Sequence, residues 1–502
     1  MGINLRTNLI DPKIVNAASA HILARPNIEP INQLILIFLI QLLLLSISII
    51  LKIDILNLYT TILVGISFTI TPIAVFLRMI KLDKRNFYLP YTFFLLFCGI
   101  YFGTGSLAYT FGSTEDQIVL DKIFPVSTDD MLYLHLINTC YVILVSIIYK
   151  FSLLIIYGQS VYKNINIEPV NKLRYLLYGI CVISHLSKFL VALPYEMKIT
   201  ETAPLGIIVA LQYLSYGGLV YFWYSYTQRK TSLLVVILLT IADLFFGLMT
   251  LYKSLILLPL VCVIIGVDIA KPLSKWAWIL ISITFIGGVA LLQPTITFMR
   301  FNRFYNPSRN FKESIINTVT APSVESISTL ASANKLNSQK ESPWLRVSFA
   351  GYESYAVKRY DSGNPLETYS FFYTVWMPRA LYPDKPLIDP GTQFNLEMFG
   401  SEANRTGPTA IGEAYSNLGW TGVLLLSVAT GLAFSFFIKS TNLVILGKRF
   451  EFIPIVFIGM FLGIRSEDWA VLNFMSFFLA CIFYASIAVL SQYFDLAHKG
   501  TR

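Results

Sequence analysis

Two cations, Arg379 and Lys385, lie in the run Met377-Pro378-Arg379-Ala380-Leu381-Tyr382-Pro383-Asp384-Lys385-Pro386, where the prolines limit the wandering of the loop. Arg465 directly follows the apolar run Val456 to Ile464, and its charge is costly in lipid unless it faces protein or water. Arg300 and Arg303 make a third basic group. Arginine presents a planar fork of donors that holds oxyanions in bidentate fashion, so these positions point to anionic groups. The plainer readings are a solvated loop cation for Arg379, lipid-headgroup contacts for Arg300 and Arg303, and for Arg465 a helix-end cation paired with Glu467 or Asp468.

Glu413 is the carboxylate of the run Gly407-Pro408-Thr409-Ala410-Ile411-Gly412-Glu413-Ala414-Tyr415-Ser416-Asn417-Leu418-Gly419-Trp420. A carboxylate there suits general-base work, with Tyr415 and Asn417 able to hydrogen-bond hydroxyl groups; its alternative is the favourable placement of negative charge at a helix N-terminus. His185 and Lys188 lie three apart on one helix face and Asp243 sits in the middle of another apolar run. That trio allows a proton relay or ion path, against the plainer account of a structural hydrogen bond. The sequence carries no Asp-x-Asp pair, no glycine-rich phosphate loop with its lysine and no HExxH motif, and its five cysteines show no CxxC spacing. No metal or cofactor is expected.

These residues must be positioned by helices in lipid. Of 502 residues, 55% are hydrophobic and only 13% charged, and the mean hydropathy is +0.63, which fits a water-exposed globule poorly. The formal charge of +9 lies beside apolar stretches rather than in one basic patch, so it is read as topology and not as a nucleic-acid surface. A hydrocarbon core needs about 20 mainly apolar residues per helix, and about twelve stretches approach that length. They are Gln33 to Leu51, Leu56 to Leu77, Phe87 to Phe111, Met131 to Tyr157, Tyr175 to Tyr195, Leu205 to Tyr226, Leu233 to Tyr252, Leu255 to Ala270, Trp276 to Phe298, Leu418 to Ile438, Phe452 to Ile464 and Val471 to Phe494.

The expected architecture is therefore an all-α polytopic integral membrane protein with one large extracytoplasmic loop, 299–417, between spans in 33–298 and 418–494. The first thirty residues lack the apolar core and cleavage site of a signal peptide, so insertion is expected to start with the first span. Lys and Arg collect at Arg78 to Arg85, Lys163 to Arg174, Arg229 and Lys230, Lys271 and Lys275, and Lys439 to Arg449, while Glu115 to Asp130, Glu196 and Glu201 fall on the other side. The positive side stays cytoplasmic, which places the tails 1–32 and 495–502 there. Within the loop, Tyr352 to Trp376 is aromatic and reads first as membrane-interface residues, second as sugar-stacking faces.

The elements "PRALYPDKP", "IGEAYSNLGWTGV" and "GIRSEDW" resemble the oligosaccharide repeat unit polymerases (Wzy-type) of O-antigen and capsule synthesis. The resemblance covers roughly the last 200 residues. It implies a metal-independent membrane glycosyltransferase of the bacterial cytoplasmic membrane, acting on its outer face. A growing glycan would pass from polyprenyl pyrophosphate to the sugar of an incoming lipid-linked repeat unit, with membrane lipid, a chain-length regulator and a flippase as expected partners. On that resemblance Arg379 and Arg465 would meet the pyrophosphate, Glu413 would be the base, and Arg300, Arg303, Lys385, Tyr415 and Asn417 would hold substrate. The rivals are an O-antigen ligase, disfavoured because Met299 to Asn417 contains no histidine, and a transporter or flippase of lipid-linked oligosaccharide.

Overall fold

The computed structural model describes residues 29–123, 125–158, 174–197, 199–200, 211–251, 253–274, 347–371, 390–399, 407–445 and 449–499, with scattered positions between 276 and 299 and at 344 and 382. Every regular element among them is a helix. Eight are long and apolar enough to cross a membrane, and two shorter apolar helices, Leu255–Ala270 and Phe450–Ile464, accompany them.

Helix α1 (Glu29–Leu51) and α2 (Asp54–Leu82) form the first hairpin. Leu34, Phe38, Gln41, Leu45 and Ser48 of α1 are buried at helical spacing, while Leu36, Leu43 and Ile50 on the opposite face are exposed. A helix apolar on both its packed and its open face has lipid as its solvent. Helix α3 (Pro90–Phe111) starts with proline at its first turn and passes through a π-helical stretch, Gly99–Thr104. Its Gly103 lies against the backbone of Thr69, where a Cβ would come within 2.4 Å of the Thr69 nitrogen, so only glycine lets α2 and α3 approach this closely.

After α4 (Thr114–Ile123), the long α5 (Thr128–Gly158) returns. Helix α6 (Arg174–Leu186) continues through a second π-helical stretch, Ser187–Ala192, to Glu196. A 3-10 turn at Gln212–Leu214 leads into α7 (Ser215–Thr227), followed by α8 (Leu233–Thr250) and α9 (Lys253–Ala270). From the long interval come α10 (Ala350–Asp361) and α11 (Pro390–Phe399). The chain closes with α12 (Thr409–Ile445), α13 (Ile453–Ile464) and α14 (Ala470–Lys499).

The helices share two ends. At one, Arg78 pairs with Glu29 at 3.0 Å and Thr441 Oγ1 meets the Tyr88 carbonyl; Lys84, Arg85, Arg229, Lys230, Lys271 and Arg449 lie at the same helix termini. At the other, Asn57 donates to Asp129 at 3.0 Å and Lys358 of α10 pairs with Asp130 at 2.6 Å. The described interval helix α10 thus sits at the acidic end, and the first and last described helices begin and finish at the basic end.

Among the described residues eight helices reach spanning length, against the twelve stretches read from hydropathy. Phe452 to Ile464 forms a twelve-residue helix of about 18 Å, too short to cross a ~30 Å hydrocarbon core alone. Leu205 to Tyr226 is represented by the short α7, and most of Trp276 to Phe298 lies outside the described residues. Helix α12 begins at Thr409, so the last part of the expected loop, with Glu413, Tyr415 and Asn417, is helix instead. Small and apolar Ala410, Ile411, Gly412 and Ala414 let this segment bury, and Gly419 (φ 59°, ψ −143°) supplies the break that hydropathy registers as a helix start at Leu418.

Candidate functional site

The first turns of α12 are tied to distant chain by polar side chains. Thr409 Oγ1 accepts from Gly412 N at 3.0 Å, capping the helix from a residue with φ 69°, rare for a β-branched side chain. Glu413 is fully buried and both its oxygens are engaged: Oε1 accepts from Thr368 Oγ1 at 2.6 Å, and Oε2 from the Val471 N–H at 3.3 Å. A carboxylate at the N-terminus of α14 meets that helix's unsatisfied N–H groups, so Glu413 caps a helix other than its own. Asn417 donates to the Glu413 carbonyl at 2.8 Å and to Thr368 Oγ1 at 2.9 Å, and accepts from Tyr369 N at 3.1 Å. Its amide is committed to holding the 3-10 turn Thr368–Phe371 against α12.

Glu413→Gln keeps one oxygen acceptor for the Val471 N–H but turns the other into a donor facing the Thr368 hydroxyl, which loses its acceptor. Leaving such buried groups unsatisfied costs roughly 1–3 kcal/mol, so this variant is expected to melt several degrees below wild type. An unchanged melting temperature in detergent would show that the cap contributes nothing.

Beside this hub runs a directed chain of aromatic donors. Trp420 Nε1 donates to the Tyr133 hydroxyl at 3.2 Å, the Tyr133 and Tyr415 hydroxyls share a 2.7 Å bond, and the Tyr415 hydroxyl donates to Asp361 Oδ1 at 3.1 Å. Because the carboxylate must accept, Tyr415 donates outward and Tyr133 donates to Tyr415. Tyr360 closes the cluster against Gly419, where a Cβ would stand 2.8 Å from the ring.

Arg465 ends α13, half-buried at the acidic end. Its carbonyl accepts from Asn473 Nδ2 at 2.8 Å, and its guanidinium lies 5.5 Å from the centroid of the Phe461 ring. Asp468 turns instead to the Trp469 N–H at 2.9 Å, and among the described residues no carboxylate reaches the Arg465 guanidinium. The pairing with Asp468 entertained from sequence is absent; the Glu467 side chain lies outside the described residues. Gly407 packs on the Trp469 indole, so the "GPTAIGEAYSNLGW" and "GIRSEDW" segments meet face to face. Arg379, Lys385, Arg300 and Arg303 lie outside the described residues.

Glu353 was not singled out by sequence. It sits 2% exposed on α10 between α5 and α12, its Oε2 accepting from Asn138 Nδ2 at 3.3 Å, and burial pushes its carboxyl up to about 8, with the Asn138 bond pulling the other way. The available signal was Ala350, Glu353 and Val357 recurring at helical spacing within "AGYESYAVKRY", which marks Glu353 as one of the inward positions.

A second buried cluster spans α6, α7 and α8. Lys188 Nζ lies 2.6 Å from Asp243 Oδ1 and 4.3 Å from the Tyr216 ring centroid, His185 Nε2 lies 3.4 Å from the same Asp243 oxygen, and His185 Nδ1 donates to the Cys181 carbonyl at 2.8 Å. The three ionisable residues that spacing had singled out converge, and Lys188 stands in a π-helical stretch, a feature common at functional sites. No family model, curated protein or solved structure gives a significant match to this chain.

Proposed function

We propose that the protein is a membrane glycosyltransferase of the repeat-unit polymerase kind, joining polyprenyl-pyrophosphate-linked oligosaccharides at the outer face of a bacterial cytoplasmic membrane, with both termini cytoplasmic. The observation that carries the reading is Arg465: a half-buried guanidinium without a carboxylate partner among the described residues, at the acidic end, within the two family-like segments that pack on each other. A free fork of donors in a partly desolvated place suits the charge that develops on a departing pyrophosphate. The basic helix termini on the opposite end support the orientation. Glu413 and Asn417 serve in this reading as the hub that fixes α10, α12 and α14 relative to Arg465, with Arg379, Lys385, Arg300 and Arg303 proposed to complete the anion site.

The test is the surface glycan of cells lacking the protein. Single capped repeat units in the deletion, and a restored ladder on complementation, are expected. Loss of all surface glycan would move the assignment to ligase or flippase, and an unchanged ladder would remove it.

The transporter reading draws on one observation of its own, the Lys188, Asp243 and His185 cluster, because ionisable groups inside a membrane often mark ion or proton pathways.

A further inference from the structure

Helix α10 meets α5 across a narrow space lined by Glu353, by His135 and Asn138 of α5, by Tyr101 of the α3 π-helical stretch, and by Phe349. Three polar atoms of this lining are buried without a hydrogen-bond partner: Glu353 Oε1, Asn138 Oδ1 and His135 Nε2. The three side chains are 2%, 3% and 1% exposed, so bulk solvent does not serve them. Orphaned polar atoms in a folded interior are uncommon, because each forfeits its hydration, and three around one space call for a shared partner. The space has room for one water-sized group, which excludes every larger ligand. Asn138 Nδ2 donates to Glu353 Oε2 at 3.3 Å, which leaves Asn138 Oδ1 as a pure acceptor. A water molecule brings two protons and two lone pairs. With Glu353 as the acid, the water donates to Asn138 Oδ1 and His135 Nε2 and accepts from the Oε1 hydroxyl. With Glu353 as the carboxylate, it donates to Asn138 Oδ1 and Glu353 Oε1 and accepts from the His135 Nε2–H. Both arrangements satisfy all three atoms with a neutral imidazole, and they differ by one bound proton.

We propose that this seam binds one water molecule and that α10 takes up a proton, on Glu353, when it docks against α5 and α12. The acid form fits the seam better because it brings no charge into it. The cations beside it on α10, Lys358 and Arg359, pair with Asp130 and Glu397, and among the described residues no cation pairs with Glu353. Ala356, on the same helix, packs with Phe394 and with Trp469, the residue after Asp468 at the head of α14. A change in the docking of α10 therefore reaches the end of the molecule where Arg465 stands. Docking acts as a proton-responsive latch at the acidic end, and it stands apart from the polymerase reading, since it requires no glycan.

The titratable groups facing Glu353 are few. His135 comes from α5 and Tyr101 from the α3 stretch, while α12 contributes Gly412, whose neighbour Glu413 turns its carboxylate away to Thr368 and Val471. Burial pushes the Glu353 carboxyl up from its ordinary 4.5 to about 8, against the pull of the Asn138 bond. Undocked, the carboxyl meets water and returns to its ordinary value. The docked state therefore keeps a proton that the undocked state releases between those two values. Docking is strongest at acid pH, weakens by up to about tenfold per pH unit as the pH rises toward about 8, and is level above it.

The test uses the full chain in lipid nanodiscs. Trypsin cleavage after Lys358 or Arg359, mapped by mass spectrometry, reports the undocking of α10. Dividing the wild-type rate by that of Glu353→Gln at each pH cancels the protease's own pH dependence. Glutamine is a permanent stand-in for the neutral acid, so this ratio is expected to rise by up to about tenfold per pH unit from about pH 6 to about 8 and then to level. A ratio that stays constant overturns the latch. Infrared difference spectra across the same range are expected to show the carbonyl band of a protonated carboxyl titrating near pH 8, together with a water O–H band that moves in ¹⁸O-labelled water, both lost in Glu353→Gln. A carboxyl band without the water band overturns the bound water, and absence of the carboxyl band overturns the site. Should Glu353→Gln fold poorly, Asn138→Leu decides: removing the bond that favours the carboxylate moves the infrared midpoint upward, and an unmoved midpoint overturns the site.

Discussion

Arg465→Ala is expected to reduce polymer about 100-fold or more at unchanged membrane abundance, the loss typical of removing a donor aimed at developing negative charge. The structure separates this expectation from a stability effect. A half-buried cation with no described carboxylate partner, at the end of a helix as apolar as Ile453–Ile464, pays desolvation without the compensation of a pair. Removing it should leave the melting temperature unchanged or raise it. Activity and stability therefore move in opposite directions, which a merely structural arginine would not produce. Arg465→Lys keeps the charge but loses the planar fork, so it should recover only part of the ladder. The measurement is the chain-length profile of deletion cells carrying each variant, with melting of the purified proteins; a full ladder from Arg465→Ala would end the assignment of this residue to the pyrophosphate.

Much of this frame is written in residue order. Burial of every third or fourth residue of α1, the proline that starts α3 and the alternation of basic and acidic connections are local properties, visible without coordinates. The convergence of His185, Lys188 and Asp243 was foreshadowed because charge in an apolar run stands out. Glu353 was harder to see. Its segment carries Tyr352, Tyr355, Lys358, Arg359 and Tyr360, a composition that reads as membrane interface, and only packing between α5 and α12 removes the carboxyl from water. Desolvation is a property of neighbours, not of a residue. The same holds for Glu413, which looked like a free carboxylate at the start of a helix. Its partners Thr368 and Val471 are 45 residues before it and 58 residues after it, and no spacing rule connects them. Tyr415 and Asn417 were expected to face sugar; the structure turns their polar atoms to Asp361, Tyr133 and the Thr368 turn.

Lys188→Met is expected to destabilise the protein by about 3–5 kcal/mol, because it leaves the buried Asp243 carboxylate with only the longer 3.4 Å contact to His185 and with one oxygen already lacking a partner. The double variant Lys188→Met/Asp243→Leu removes both charges and leaves His185 neutral, its Nδ1–H still bonded to the Cys181 carbonyl. Replacing a whole buried pair by apolar groups is often neutral, so most of the lost stability should return. That recovery makes the pair informative about function, since it yields a folded protein without the intramembrane charges. If the double variant restores the glycan ladder, the cluster holds α6 to α8 and nothing more, and the chemistry belongs to the Arg465 end. If it folds, reaches the membrane and still makes no polymer, the charges act in the cycle itself, and the transporter reading gains the evidence it otherwise lacks. Melting of the single and double variants in detergent, set beside their glycan profiles, decides between these outcomes. A single variant as stable as wild type would show that the Lys188 ammonium is dispensable to Asp243, either because the carboxyl is neutral in the folded state or because a protonated His185 carries the compensating charge.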